Sequence, residues 1–217
     1  MDYSQIFPFW QNLSESEKEA IEETCYKEKF SKGLLMHRST DNCKGLMTVL
    51  SGSLRIYIVS DEGREVTLFR VFAGEMCVLS ASCLMDTIAF DVLIEATEDT
   101  EVLVLPSVSL KRIMQNNPYV ELFLYKTATE KFSDVMWTMQ QILFKKIDQR
   151  VAEFLLAEYN NSNSNTLAIT HDEIARYIGS AREVVTKVLK YMAQCEAIEL
   201  KRGKIIVRDI EKLKYLL

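Results

Sequence analysis

The chain has 217 residues, enough for one large domain or two small ones, and 48% of them are hydrophobic, which can supply a buried core. No apolar run reaches the roughly 18 residues that cross a bilayer, and the N-terminus lacks the basic start of a secretory signal, so we expect no membrane association. The net charge is −5, and the five cysteines are odd in number without a Cys-x-x-Cys pair, which predicts a reduced, cytoplasmic protein.

The N-terminal part of the chain predicts a helix followed by short strands. Ser14 and Glu17 have the spacing of a capping box, which indicates the start of a helix. Short β-branched runs then alternate with glycines, which is typical of a small sandwich, barrel or β-roll; these glycines are Gly33, Gly45, Gly52, Gly63 and Gly74. The segment SDEGRE at 60–65 indicates a hairpin turn between two strands.

A long helix is predicted next, because no glycine occurs from 75 to 178. Pro118 suits its start, and the helix would cover 119–144, about 26 residues and roughly 39 Å. An apolar stripe follows helical spacing through Leu124, Ala128, Phe132, Val135, Met139 and Ile142. This stripe could pack inside the chain, but we favour a seam with a second copy of the helix, because the neighbouring domain is small.

Two further segments precede the C-terminal region. The sequence IDQRVAEFLLAEY at 147–159 predicts a second helix. The polar run NNSNSNT at 160–166 follows it. By composition this run is either a linker between domains or a surface loop inside the second domain.

Twenty residues from His171 have the spacing of a helix-turn-helix motif. Ala175 is small enough for two helices to cross closely, and Gly179 permits a left-handed backbone at the turn. Val185 and Val188 are apolar where the second helix would meet the first. The motif therefore predicts two short helices joined by a tight turn.

Both predicted helices of this motif carry their own start signal. Thr170 and Glu173 have the spacing of a capping box, and Ser180 and Glu183 repeat it. The first helix is therefore expected to begin after Thr170 and the second after Ser180.

The second helix of the motif separates into an apolar and a polar face. The polar face lies towards the N-terminal end, which is the end that enters the major groove in helix-turn-helix proteins. A solvated face with a Glu183–Lys187 ion pair is the alternative, but the motif spacing favours DNA reading. We expect base contacts from Arg182, Glu183, Thr186 and Lys187.

Positive charge is concentrated in the C-terminal part. Residues 145–217 hold 13 basic and 10 acidic side chains, a net charge of +3, whereas residues 1–144 hold 13 and 21, a net charge of −8. The sequence AIELKRGKIIVRD indicates a hairpin with Arg202–Gly203 at its turn, which would form the wing of a winged helix-turn-helix. We expect contacts to DNA phosphates from Thr170, His171, Ser180, Lys190, Lys201 and Lys204.

A β-roll, a long helix and a winged helix-turn-helix in this order resemble the CRP/FNR family of bacterial transcription regulators over nearly the whole chain. The most specific matches are GSAREVVTKVLK, similar to the family's recognition segment, and FAGE at 72–75, similar to its effector-domain turn. The sequences NP at 117–118 and FKKIDQRVAEFLL at 144–156 match the ends of the family's long helix and the segment after it.

The resemblance implies an α+β fold in three parts. These are a β-roll effector domain at 1–116, a long dimerisation helix at 117–144 and a winged helix-turn-helix DNA-binding domain at 145–217. It also implies a homodimer that binds double-stranded DNA at a two-fold symmetric operator and acts on RNA polymerase as an activator or repressor. Arg182, Glu183 and Lys187 fall on the family's base-contacting positions, although Lys187 stands where arginine is usual.

The same resemblance implies an effector pocket that involves Gly74, Glu75, Cys77, Cys83, Phe90, Asp91, Val135 and Met136. In cyclic-AMP-binding members an Arg-Ser pair stands where this chain has Phe90 and Asp91, and hydroxyls stand at the positions of Val135 and Met136. No Lys, Arg or His occurs from 74 to 96, and burying a phosphate beside Asp91 without a cation is unfavourable. We therefore expect a more apolar effector, or none, instead of cyclic AMP.

Cys77 and Cys83 leave three alternatives open: buried thiols that act as small hydrophobes, a thiol–disulfide sensor, or ligands of a metal or haem. We favour the first, because neither cysteine has a basic neighbour in sequence. Leu79 stands where haem-binding members carry a histidine, and Cys25 and Cys43 do not supply the clustered cysteines of an iron–sulfur site. We expect no haem or iron–sulfur cofactor.

An enzyme is the rival class of protein. The chain contains two histidines and no G-x-S-x-G, P-loop or H-E-x-x-H motif, so we do not expect catalysis. A sensor that acts through a protein partner without DNA is the more serious alternative. Such a module would have no need for the basic stripe and the wing.

Overall fold

The structure, a computed structural model, describes residues 1–37, 44–84, 92–162 and 164–217. By their contacts these residues divide into two compact units. Unit 1 comprises Met1–Ile58 and Leu68–Val135, and unit 2 comprises Val59–Thr67 and Met136–Leu217. The short segment Val59–Thr67 therefore belongs with the C-terminal part of the chain.

Antiparallel strands form the frame of unit 1. The strands are β1 (Tyr26–Phe30), β2 (Leu35–His37), β3 (Gly45–Ser51), β4 (Ser53–Val59), β5 (Glu65–Phe72), β6 (Met76–Cys77), β7 (Leu93–Ala96) and β8 (Thr100–Pro106). One four-stranded sheet has the order β1-β8-β3-β6, and a second has the order β2-β7-β4-β5. The predicted hairpin turn at 60–65 is confirmed between β4 and β5, where the Ser60 amide donates to the Arg64 carbonyl at 2.9 Å.

Strand β8 separates two hydrophobic cores of unit 1. Val102 and Val104 lie in a core that receives residues from both sheets. Leu103 and Leu105 lie in the other core, which receives residues from the helices. Successive side chains of a strand point to opposite faces, so the continuous apolar run of β8 reflects a strand covered on both sides.

Helices cover the outer face of the first sheet. They are α1 (Tyr3–Ile6), a 3₁₀ turn (Trp10–Asn12), α2 (Glu15–Thr24), α3 (Ser107–Asn116) and α4 (Pro118–Phe144). The predicted capping box is confirmed, because the Ser14 amide donates to Glu17 at 2.7 Å and the Glu17 amide donates to the Ser14 hydroxyl at 3.4 Å. The buried Asn117 donates to the same Glu17 carboxylate at 3.1 Å, which ties the start of α4 to the start of α2.

Three residues of the apolar stripe predicted along α4 pack against two different cores of unit 1. Leu124 is fully buried in the helical core of unit 1, and Ala128 packs against that core. Val135 packs against the core between the sheets. For these three residues the structure favours the alternative, since they pack inside the chain.

A different stripe of α4 is exposed. Its apolar members are 57% exposed at Phe132, 42% at Met136, 46% at Met139 and 67% at Leu143. With Thr129, these residues recur at alternating steps of three and four, which is the spacing of a coiled-coil seam. The exposed seam, defined here as Thr129, Phe132, Met136, Met139 and Leu143, keeps only two members of the predicted stripe.

Unit 2 contains α5 (Ile147–Ser162), β9 (Thr166–Leu167), α6 (His171–Ile178), α7 (Arg182–Gln194), β10 (Ile198–Lys201), β11 (Lys204–Val207) and α8 (Ile210–Lys214). Its sheet has the order β10-β11-β9. The described residues of the polar run at 160–166 include the last turn of α5, which ends at Ser162, and the start of β9 at Thr166, so the run lies inside this unit and does not link two units. Among the residues that the structure describes, no helix is both long and apolar enough to cross a membrane.

Candidate nucleic-acid interface

The first helix of the motif, α6, begins and ends as the sequence predicts. The Thr170 hydroxyl accepts the Glu173 amide at 3.2 Å, and the Thr170 amide donates to the Glu173 carboxylate at 2.8 Å, which confirms the capping box. Gly179 ends the helix with a φ of +64°, in the left-handed region. A Cβ at Gly179 would lie 3.0 Å from a methyl carbon of Val66, which is closer than an ordinary contact, so a larger residue would also require the Val66 side chain to shift.

The predicted second capping box is wrong. The N-cap of α7 is Ala181, which offers no side-chain cap, and the helix begins at Arg182. The Ser180 amide donates instead to the Ala175 carbonyl at 2.9 Å, so Ser180 belongs to the end of α6. Glu183 is exposed, and its carboxylate is not engaged as a cap.

Helix α7 buries most of its apolar face, with Val188 half-buried, and exposes its polar one. Val185, Leu189 and Met192 are 0% exposed in the core of unit 2. On the opposite side the four residues predicted to contact bases come together: Arg182, Glu183 and Lys187 are exposed, and Thr186 is half-buried. Lys190 is exposed one turn further along.

The residues predicted to contact phosphates differ in burial and in whether their donors are already used within the chain. Both donors of Thr170, its amide and its hydroxyl, bond to the Glu173 carboxylate, at 2.8 Å each. Both donors of Thr170 are therefore used within the capping box, and its contact with a phosphate stays a prediction. Ser180 is half-buried at the turn, and the half-buried His171 contacts Thr186 through its ring.

The hairpin β10–β11 forms the predicted wing. Its turn is Arg202–Gly203, with a φ of +71° at Gly203. Lys204 is exposed at the start of β11. Lys201 forms an ion pair with Glu199 at 3.1 Å, so one acidic side chain offsets part of the positive charge of the wing.

The C-terminal end of α6 receives two arginine side chains. Nη1 of Arg150, on α5, donates to the Ile178 carbonyl at 2.8 Å, and the guanidinium of Arg64 donates to the Gly179 carbonyl. Desolvation lowers the pKa of Arg150, and the positive charge of Arg64 lowers it further. Two cations at the carbonyl end of a helix interact favourably with its dipole, so they hold the turn before α7.

The contact of Arg64 with the turn could not be found from the sequence. Arg64 and Gly179 are separated by 115 positions. The Thr67 hydroxyl makes a similar contact, donating to the Arg176 carbonyl at 3.2 Å. No local pattern marks either residue, because the partner in each case is a backbone carbonyl.

The described members of the predicted effector pocket include no cationic side chain. Gly74 forms the turn after β5 with a φ of +89°, and Glu75 is exposed and accepts the Phe72 amide at 2.9 Å, which closes that turn. Val135 faces the core of unit 1, whereas Met136 is exposed on the seam. Phe90, Asp91 and the side chain of Cys83 lie outside the described residues.

Cys77 is a buried thiol. It is 1% exposed, and burial raises its pKa to about 11. The thiolate is the reactive form, so a thiol with this pKa is a weak nucleophile at neutral pH. Of the three alternatives for Cys77, the structure favours the buried small hydrophobe. Across the described ranges, no group of three or more His, Cys, Asp or Glu side chains is arranged to hold a metal.

Unit 1 also contains a buried cation that no sequence pattern marks. Arg55, on β4, is 3% exposed. Its guanidinium pairs with Glu95 at 3.3 Å and lies 4.1 Å from the ring centroid of Tyr57. The sequence offered no sign of burial, because a single arginine in a strand usually points to solvent.

Two antiparallel sheets, a long helix and a winged helix-turn-helix define a class of protein: DNA-binding transcription regulators with a cyclic-nucleotide-binding-like domain. The family described as the cyclic nucleotide-binding domain matches residues 27–117, and the Crp-like helix-turn-helix domain matches residues 149–216. The chain belongs to the CRP/FNR family of transcription regulators. The predicted family and fold class are confirmed.

Similarity to individual proteins extends over most of the chain. A solved CRP/FNR-family transcriptional regulator from Eubacterium rectale is 43% identical with a TM-score of 0.94, over 97% of this chain and 98% of that chain. The transcriptional activator protein Anr of Pseudomonas protegens is 27% identical over 91% of this chain and 83% of its own. The cyclic AMP receptor protein of Thermus thermophilus is 24% identical over 95% of each chain.

Proposed function

We propose that this protein is a cytoplasmic, homodimeric regulator that reads a two-fold symmetric operator and whose unit 1 senses an effector other than cyclic AMP. The observation that carries the proposal is the division of α7 into two faces. Val185, Leu189 and Met192 of the apolar face are fully buried, while Arg182, Glu183 and Lys187 at the N-terminal end are exposed together. A helix placed in this way can enter the major groove without disturbing the core of unit 2.

Base reading is assigned to the exposed end of α7. The Arg182 guanidinium can donate twice to guanine, and the Glu183 carboxylate can accept from cytosine. Lys187 can approach guanine, and the Thr186 hydroxyl can either donate or accept. Lys190, Lys201 and Lys204 would contact phosphates, in agreement with the net charge of +3 over 145–217.

The dimer is assigned to the exposed seam of α4. Five positions at steps of three and four, four of them exposed apolar side chains, need a cover, and a second copy of the same helix offers a matching surface. Two α7 helices related by a two-fold axis would read two half-sites one helical turn apart, so the operator is expected to be an inverted repeat. RNA polymerase is the expected protein partner, by analogy with the family.

Selection from a pool of duplexes with randomised sequence tests the proposal. The purified protein should enrich an inverted repeat whose half-sites are separated by about 10 base pairs, centre to centre. Enrichment of no sequence over bulk DNA would contradict DNA reading. Enrichment of a single unrepeated site would leave DNA reading intact and contradict the dimer.

Lys204→Ala should weaken binding to all duplexes alike. Each protomer of the dimer would lose one phosphate contact. The slope of log affinity against log salt should therefore become less steep by about one unit for each protomer. The measurement is a titration at several salt concentrations on the selected duplex and on random DNA. Lys111→Ala, which removes an exposed lysine from α3 in unit 1, is the matched control. A loss confined to one operator sequence would instead mean that the wing reads bases.

Cyclic AMP should produce no measurable heat in calorimetry at millimolar concentration, where even a site of about −4 kcal/mol begins to fill. The reason is the segment 74–96, which contains no cationic side chain for the phosphate. The buried cation of unit 1, Arg55, is paired with Glu95. Cyclic AMP should also leave operator affinity unchanged, because a ligand without differential affinity shifts no equilibrium. Micromolar binding coupled to tighter operator binding would contradict the effector assignment.

The proposal includes no catalytic step. The relatives reported above are transcription regulators, and a regulator of this kind works by differential binding of DNA. A sensor that acts without DNA would have no use for an exposed polar α7 and a basic wing. The selection experiment separates the two, since only a DNA reader enriches a sequence.

A further inference from the structure

A histidine ring contacts the base-reading face of α7. His171 is the first residue of α6, and its Nδ1 lies 3.0 Å from the Oγ1 of Thr186. Both residues are half-buried. Four residues of α7 are proposed to read bases. Among their described hydrogen bonds, that of Thr186 is made with the side chain of a histidine, which is a titratable group.

The charged groups around this ring are mostly cationic. From α7, Arg182 and Lys190 act on the ring electrostatically, and both are positive. On α6 itself, Asp172 pairs with Arg176 at 3.5 Å, and Glu173 is engaged by the capping box. On α5, Arg150 lies at the opposite end of α6, where it contacts Ile178. Desolvation lowers the pKa of His171 below its ordinary value, and Arg182 and Lys190 lower it further.

The protonation state of the ring decides what the Thr186 hydroxyl can offer to DNA. When Nδ1 is unprotonated it accepts the hydroxyl hydrogen, so the oxygen can only accept a hydrogen bond from a base. When the ring is protonated, Nδ1–H donates to the hydroxyl oxygen, and the hydroxyl hydrogen is released to donate to a base. Bases differ in this respect: adenine N6 and cytosine N4 donate, whereas guanine O6 and thymine O4 accept.

We propose that His171 is a specificity-determining residue. It directs the Thr186 hydroxyl as an acceptor when its ring is the neutral tautomer with the proton on Nε2, and as a donor when its ring is protonated. This inference rests on the proposed function, since it requires Thr186 to face a base. The same residue was expected from the sequence only to contact a phosphate. The base preference opposite Thr186 should then move from adenine or cytosine towards guanine or thymine as the pH falls.

DNA itself favours the protonated ring. Phosphates that approach α6 and α7 offset the charges of Arg182 and Lys190, so DNA binding raises the pKa of His171 and takes up a proton. By linkage, affinity for a duplex with guanine or thymine at this position rises as the pH falls through the pKa of the bound state. The affinity for duplexes with adenine or cytosine at this position should rise less over the same change of pH.

Selection from the randomised duplex pool at about pH 5.5 and about pH 8, on either side of the ordinary histidine value, tests the inference. The wild-type protein should change its preference at one base pair of each half-site by roughly threefold to tenfold, the size of one hydrogen bond. His171→Gln should read the same operator with a preference that does not change with pH. Thr186→Val should lose discrimination at that base pair at both pH values.

Controls separate the inference from the proposed function. The chain has two histidines, so His37→Gln should keep the wild-type change and exclude a contribution from unit 1. A preference that is the same at both pH values would overturn the inference. Equal strengthening on every duplex at low pH would overturn it as well, because that is the behaviour of a phosphate contact. If no sequence is enriched at either pH, the proposed reading of DNA is contradicted, and the inference about His171 falls with it because it depends on that function.

Discussion

Met136→Glu is expected to convert the protein to a monomer and to abolish binding to the selected inverted repeat. Met136 lies at the middle of the exposed seam and is 42% exposed within one chain, so the substitution should leave the fold of each protomer intact. In a dimer the two-fold axis would bring two glutamates together in an apolar seam. An uncompensated buried charge costs about 3–5 kcal/mol, which corresponds to a weakening of dimerisation by roughly a hundredfold to several thousandfold.

Analytical ultracentrifugation over a range of concentrations measures this effect directly. Met136→Leu, which keeps an apolar side chain of similar volume, is the matched control and should remain dimeric. Circular dichroism should show the same helix content for both variants. A Met136→Glu protein that sediments as a dimer would place the interface elsewhere, and the exposed seam would then need another partner.

Arg182→Ala is expected to remove sequence preference at one base pair in each half-site. A bidentate arginine–guanine contact contributes about 1–3 kcal/mol of discrimination, and a two-fold operator contains the contact twice. Affinity for the selected duplex should therefore fall by roughly 30-fold to more than 10,000-fold, with a much smaller loss on random DNA. Arg182 is exposed at the first position of α7, so the substitution removes no core contact.

The matched control removes an arginine from the wing instead. Arg202 is exposed at the tip of the β10–β11 turn, and Arg202→Ala should weaken operator and random DNA to a similar extent. Binding to duplexes substituted at each position of a half-site would identify the base pair that Arg182 reads. Equal weakening on operator and random DNA by Arg182→Ala would reassign this residue to a phosphate.

Local signals in the sequence were sufficient for the order and ends of most elements. The capping boxes at Ser14 and Thr170, the proline at the start of α4 and the glycine after α6 each act within a few residues of chain. The spacing of the helix-turn-helix predicted which face of α7 would be buried. These features could be predicted because their causes are close together in the sequence.

The failures have tertiary causes. Ser180 has the spacing of a capping residue, but its amide completes the end of α6, so α7 begins without a side-chain cap. Helical spacing alone showed that α4 has an apolar stripe, but α4 is apolar on more than one side. The packing of Leu124 in the helical core of unit 1 shows which side of α4 is covered within the chain. The contact of His171 with Thr186 joins two helices and has no local sequence signal.

The segment Val59–Thr67 makes the DNA-binding unit discontinuous in sequence. A fragment that begins at Met136 would lack Arg64 and Thr67, the side chains that hold two carbonyls at the end of α6. A chimera of two relatives joined at a single point in α4 would therefore combine the helix-turn-helix of one protein with the residues at positions 64 and 67 of the other. A chimera should retain specificity better if the β4–β5 turn is transplanted together with the C-terminal portion. Recombination among such proteins is then constrained at two places in the gene at once.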